Sequence, residues 1–120
     1  MSTLAAQWDM RLDIGMLWER QFIVEGENIT TAALQFVVRR SGDVVPIIDL
    51  TVGTGIAMTY GTYMVGGETI VGTLVTLSRT PATTATYSET TTARHGVRNM
   101  ATGEYFFEGN FEIRKTAFNV

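Results

Sequence analysis

The sequence predicts an all-β fold: an immunoglobulin-like antiparallel β-sandwich of seven or eight short strands with one short helical turn. Three observations predict it. Segments with alternating apolar and polar residues recur along the chain, separated by glycine-, asparagine- or aspartate-bearing turns. Threonine and serine supply much of the polarity, with twelve glycines, two prolines and charged residues at only 18%, a composition suited to pleated, half-solvated surface. No stretch carries the longer periodicity of an extended helix. At 120 residues the chain has room for one self-sufficient core. The expected layout is an arm over residues 1–11, a single domain over 12–115 and a tail over 116–120.

In order, the arm offers Leu4 and Trp8 as its large apolar groups. Leu12–Ile14 leads through Gly15 into Leu17–Val24, where Trp18, Phe22 and Val24 share a face with Arg20. Glu25–Asn28 is a tight reversal. Thr31–Arg40 is a strand with Leu34, Phe36 and Val38 on one face, although Ala32, Leu34 and Gln35 also allow a helical reading. Val44–Thr51 is an edge strand or strand start, because Pro46 cannot donate to a ladder. Gly55–Tyr60 and Glu68–Ser78 are strands joined by a loop containing Gly61, Gly66 and Gly67. Both faces of Glu68–Ser78 are apolar, so periodicity does not assign the inward one.

Thr80 before Pro81 reads as an N-cap followed by proline in the first helical position, hence a single helical turn. Thr86–Arg94 is the next strand, and His95 to Gly103 is a connection that leaves His95 as a solvated turn residue. The closing strand, Gly103–Lys115, places Tyr105, Phe107, Gly109, Phe111 and Ile113 on one face. Gly109 leaves a gap in that face for a facing side chain or a bulge. The expected core is Trp18, Phe22, Leu34, Phe36, Val38, Phe107, Phe111 and Ile113.

Chemistry is sparse. The acids are scattered, Gly53-Thr54-Gly55 is a turn, and no spacing matches a calcium or phosphate loop. Without cysteine there is no disulfide framework and no thiolate nucleophile. No catalytic, cofactor or metal residue is therefore assigned. A formal charge of −3 with a single lysine lacks the basic face that a phosphate backbone needs, so no nucleic-acid partner is expected. No apolar run reaches bilayer length and no basic region precedes an apolar one, so neither membrane insertion nor a signal peptide is expected. Asn28-Ile29-Thr30 matches a glycosylation pattern without a secretion signal beside it.

Several segments carry a resemblance: Ile14–Val24 as an opening strand, Ile29–Arg40, Ile48–Thr51, Gly55-Ile56, Leu74–Ser78 running into Thr80, Tyr87, and Phe106–Ile113 with its Glu-Gly step. In this order they resemble the small β-sandwich structural proteins of tailed bacteriophages, found in baseplates, tail-fibre attachment regions and virion accessory proteins. Ser88-Glu89 stands where that group carries an acidic pair, and the first turn lacks its Asp-Gly. The resemblance implies a non-enzymatic virion component, assembled in the host cytoplasm with copies of itself and other virion structural proteins. Capsid decoration, head–tail connection and receptor or carbohydrate binding are the alternatives; the last looks to loop aromatics, here Tyr60 and Tyr63. Leu4, Trp8, Phe118 and Val120, apolar groups beyond the last periodic positions, are the expected subunit contacts.

Overall fold

Backbone pairing in the computed structural model, which describes residues 6–115, places most of those residues in strands. They are β1 (Ala6–Gln7), β2 (Met10–Asp13), β3 (Trp18–Glu25), β4 (Leu34–Arg40), β5 (Ile48–Val52), β6 (Gly55–Val65), β7 (Glu68–Arg79), β8 (Thr90–Asn99) and β9 (Tyr105–Arg114), with one helical turn, α1 (Pro81–Thr84). The all-β class holds. Hydrogen bonding nevertheless joins the nine strands into one mixed sheet in the order β1-β9-β8-β4-β5-β6-β7-β3, with β2 also on β9. The sheet curls into a half-barrel. Its two arms meet at a corner where only Thr51↔Gly55 and Val52↔Ile56 pair, in parallel. Gly53 and Gly55 hold φ of 87° and 90° there, a conformation that side chains disfavour.

The second departure from a purely antiparallel arrangement is at the amino terminus. Residues 6–13, most of them expected in an arm, pair in parallel with β9. Met10 and Leu12 fall opposite Phe111 and Ile113, and all four are buried. Alternation on β2 therefore continues the apolar face of β9, and burial fixes the register.

The remaining differences have local causes. Glu25–Asn28 does not close a hairpin: β3 pairs with β7, whereas β4 pairs with β5 and β8. The crossing segment is pinned by buried Thr73, whose hydroxyl donates to the Glu27 carbonyl at 2.7 Å and accepts from the Ile29 amide at 2.9 Å. Gly61 lies within β6 rather than in a loop, and only Gly66-Gly67 turn, with positive φ at both positions. Helix α1 is capped as expected, Thr80 accepting from the Thr83 amide. Buried Thr84 ties it to the β2–β3 connection by donating to the Met16 carbonyl at 2.8 Å.

The core lies between the arms. Trp18 stacks on Phe36 with centroids 5.5 Å apart and meets Phe111 edge-on at 5.7 Å. Leu34, Phe36, Val38, Phe111 and Ile113 are buried as expected, and Phe22 and Phe107 pack half-buried against them. The inward face of β7 is Thr73, Val75 and Leu77. Between β2 and β3 there is no ladder. Trp18 Nε1 and Arg20 Nη2 instead donate to the Arg11 carbonyl, at 3.1 and 2.9 Å, and close the seam with side chains.

Candidate functional site

Three surfaces bear on function, and the first surrounds His95. Far from a solvated turn, His95 lies in β8, buried beside Phe36 and Phe111. The turn reading failed because His95-Gly96 resembles a turn dipeptide, whereas Gly96 serves here to seat the Tyr105 ring: an added Cβ would lie 2.7 Å from Tyr105 Cε2. The Nε2 of His95 pairs with the carbonyl of Trp8. Its Nδ1 meets no partner among the described residues. Burial lowers its pKa below the usual histidine value, against the opposing pull of the Trp8 carbonyl. A neutral, carbonyl-bonded imidazole of this kind is a structural plug.

Trp8 can reach His95 because of Gly109. The register of β1 and β2 on β9 is the same on both sides of Trp8-Asp9, so these two residues interrupt a single strand. At the interruption the Trp8 carbonyl turns inward over Gly109, where a Cβ would stand 2.5 Å from it. The Asp9 carboxylate accepts from the Asn110 amide at 3.0 Å. That bond, followed by one from Gln7, lowers the Asp9 pKa. The gap expected at Gly109 is thus filled by backbone.

The second surface is a depression of about 370 Å³ on the outer face of β4, β8 and β9. Arg39, Arg40, Arg94 and Arg98 line it, with Asp43, Glu108 and Tyr105. Arg39 and Arg94 stand directly opposite in the ladder, a like-charge pairing that disfavours the sheet. Arg94 donates to Asn110 Oδ1 at 2.8 Å, and Arg98 donates twice to Gln35 Oε1 at 3.0 and 2.8 Å. The ion pairs among the described residues, Arg11–Asp13 and Arg114–Glu112, involve none of these four arginines. Tyr105 lies here rather than in the core, because the pairing shifts between Val97↔Phe107 and Arg98↔Tyr105. Sequence reasoning missed the cluster, since its members come from separate strands. The excess of arginine over lysine was its only trace.

The third surface is the β6–β7 hairpin. β3 ends at Glu25↔Gly72, so the pairs from Thr62↔Val71 to Val65↔Glu68 have no third strand beside them. Tyr60, Met64, Val65 and Val71 are exposed there, Met64 at 69%. The hairpin also edges an apolar groove lined by Phe22, Ile23, Tyr63, Ile70 and Leu74. Tyr60 and Tyr63 are strand residues, not loop residues.

Of the subunit contacts expected from the sequence, Leu4, Phe118 and Val120 lie outside the described residues. Trp8 is half-buried and packs on its own chain, edge-on to Phe107 at 5.0 Å and to Phe22 at 6.3 Å. Among the described residues no group of three or more His, Asp or Glu side chains is placed to hold a metal. No protein-family model and no curated protein matches the chain.

Proposed function

We propose that this chain is a non-enzymatic structural module that assembles with copies of itself and with neighbouring proteins. Its segment-by-segment resemblance to small phage proteins points to a virion, at the baseplate or the tail-fibre attachment region. One observation carries the assembly reading. The β6–β7 hairpin stands beyond the third strand with large apolar groups in solvent and no charge from Leu50 to Gly67. Exposed apolar groups gathered on one hairpin suit an interaction site. As for the fold, the two arms correspond in our reading to the layers of an immunoglobulin-like sandwich still hydrogen-bonded at the β5–β6 corner. The arginine-lined depression favours a second reading, recognition of a carboxylate- or sulfate-bearing ligand, because a guanidinium fork donates in parallel to two oxygens of such an anion.

Sedimentation of the full chain across the micromolar range tests the assembly reading. A concentration-dependent oligomer is expected. A monomer at every concentration, alone and with other proteins of the same particle, would overturn it.

A further inference from the structure

A strand edge with unpaired amides and carbonyls is a template for another strand, and proteins usually blunt such edges with charge. The other edges without a full ladder follow that rule, and β1 is only two residues long. β2 carries Arg11 and Asp13, β3 carries Glu19, Arg20 and Glu25, and β5 carries Asp49. β6 is the exception. It pairs with β5 only through Gly55 and Ile56, and from Ala57 onward it pairs with β7 alone. Gly55–Val65 contains no charged residue and no proline.

The ladder shows which groups are free. The Gly26 amide bonds the Val71 carbonyl, so Val71 and its alternate neighbours on β7 turn toward β3. Ile70, Gly72 and Leu74 then turn toward Tyr63, Gly61 and Thr59. The backbone groups of Met58, Tyr60, Thr62 and Met64 are left facing outward.

Gly61 is flanked on each side by one threonine, one tyrosine and one methionine: Met58-Thr59-Tyr60, Gly61, Thr62-Tyr63-Met64. An antiparallel mate centred on Gly61 sets Tyr60 opposite Thr62, Thr59 opposite Tyr63, and Met58 opposite Met64. These are aromatic–β-branched and apolar cross-strand pairs, which favour pairing. Each Tyr63 ring already lies over its own Gly61, with the hydroxyl 3.6 Å from where a Cβ would stand and donating to the Thr59 carbonyl at 2.7 Å. The two rings fill the face that the glycines leave open. No charged side chain on β6 opposes its counterpart when two copies meet here.

We infer that β6 pairs edge to edge with β6 of a second copy, antiparallel about a two-fold axis through Gly61, making a continuous sheet across the dimer. The inference rests on the assembly reading above and names its geometry.

The test uses the full chain, which has no native cysteine to interfere. Gly61 pairs with Gly61 of the mate as a non-hydrogen-bonded pair, with Cα atoms about 4.5 Å apart, within disulfide reach. Gly61→Cys should therefore form a disulfide dimer under mild oxidation. Thr59→Cys should not, because its counterpart lies four residues along the mate, roughly 13 Å away. Thr62→Lys, on the free edge, should raise the dimer dissociation constant about tenfold or more in sedimentation. An oligomer in which Gly61→Cys fails to cross-link, or in which Thr59→Cys cross-links as well, overturns the pairing and leaves the assembly reading standing. A chain that never associates overturns both. If Thr62→Lys unfolds, as seen by circular dichroism, the cysteine pair decides alone.

Discussion

Gly109→Ala is the substitution whose consequence the geometry specifies most closely. The new methyl group would stand 2.5 Å from the Trp8 oxygen, 2.8 Å from its carbonyl carbon and 2.9 Å from Asp9 Oδ1. Backbone cannot yield as a flexible side chain does, so the β1–β2 segment must lift off β9. Lifting it breaks the bond between Trp8 and His95 and leaves a buried imidazole unpartnered, at about 1–3 kcal/mol. Overpacking adds about 1–3 kcal/mol. A loss of about 2–6 kcal/mol is expected, a large part of a typical 5–15 kcal/mol stability. Urea denaturation would read it. Gly61→Ala is the control, since its Cβ meets only ordinary contact at 3.6 Å. NMR titration of His95 adds an independent signal: the Trp8 carbonyl holds its pKa up against burial, so losing that bond should move the titration further down. A Gly109→Ala protein within about 0.5 kcal/mol of the parent, with His95 titrating as before, would refute the account of this strand.

Phe111→Ala should cost about 3–5 kcal/mol in the same assay, because the side chain is fully buried against Trp18 and Phe36; an unchanged melting temperature would remove β9 from the core. Stability should also fall as the pH drops below about 6.5, because the unfolded chain then binds a proton that buried His95 resists. Arg94 opposes that proton while Asp9 and Glu108 favour it, and Asp9, titrating below the 3.8 of a free aspartate, adds its own loss only in stronger acid. His95→Gln should flatten the decline nearer neutrality, and an unaltered pH profile in that variant would exclude His95 as its source. Thr84→Val should cost about 1–3 kcal/mol by stranding the Met16 carbonyl, and a neutral result would show that α1 is not anchored there.

Much of the fold was legible in the sequence. The alternation on Leu34–Val38 and Phe107–Ile113 identified the buried faces, and Thr80-Pro81 identified the one helical turn. What stayed hidden depends on partners distant in the chain. Nothing local states that β3 joins β7 rather than β4, or that the amino-terminal residues pair in parallel with β9. Tyr105 left the expected face because one shift in pairing reverses every side chain beyond it. His95 was misplaced by its glycine neighbour, whose purpose is visible only once the Tyr105 ring is seen above it. The candidate surfaces were hinted at rather than readable. The doubly apolar Glu68–Ser78 left its inward face unassigned, and exposure beyond the third strand, not periodicity, shows where the unpartnered apolar surface lies.

The central claim is that this module assembles through the edge of β6, and amide hydrogen exchange tests it most directly. In a free monomer the amides of Met58, Tyr60, Thr62 and Met64 face solvent and should exchange quickly, while those of Thr59, Gly61 and Tyr63 are held by β7. At concentrations where the chain associates, all seven should be protected together, and dilution should release only the first four. Rapid exchange at Met58, Tyr60, Thr62 and Met64 in the fully associated protein would contradict the claim.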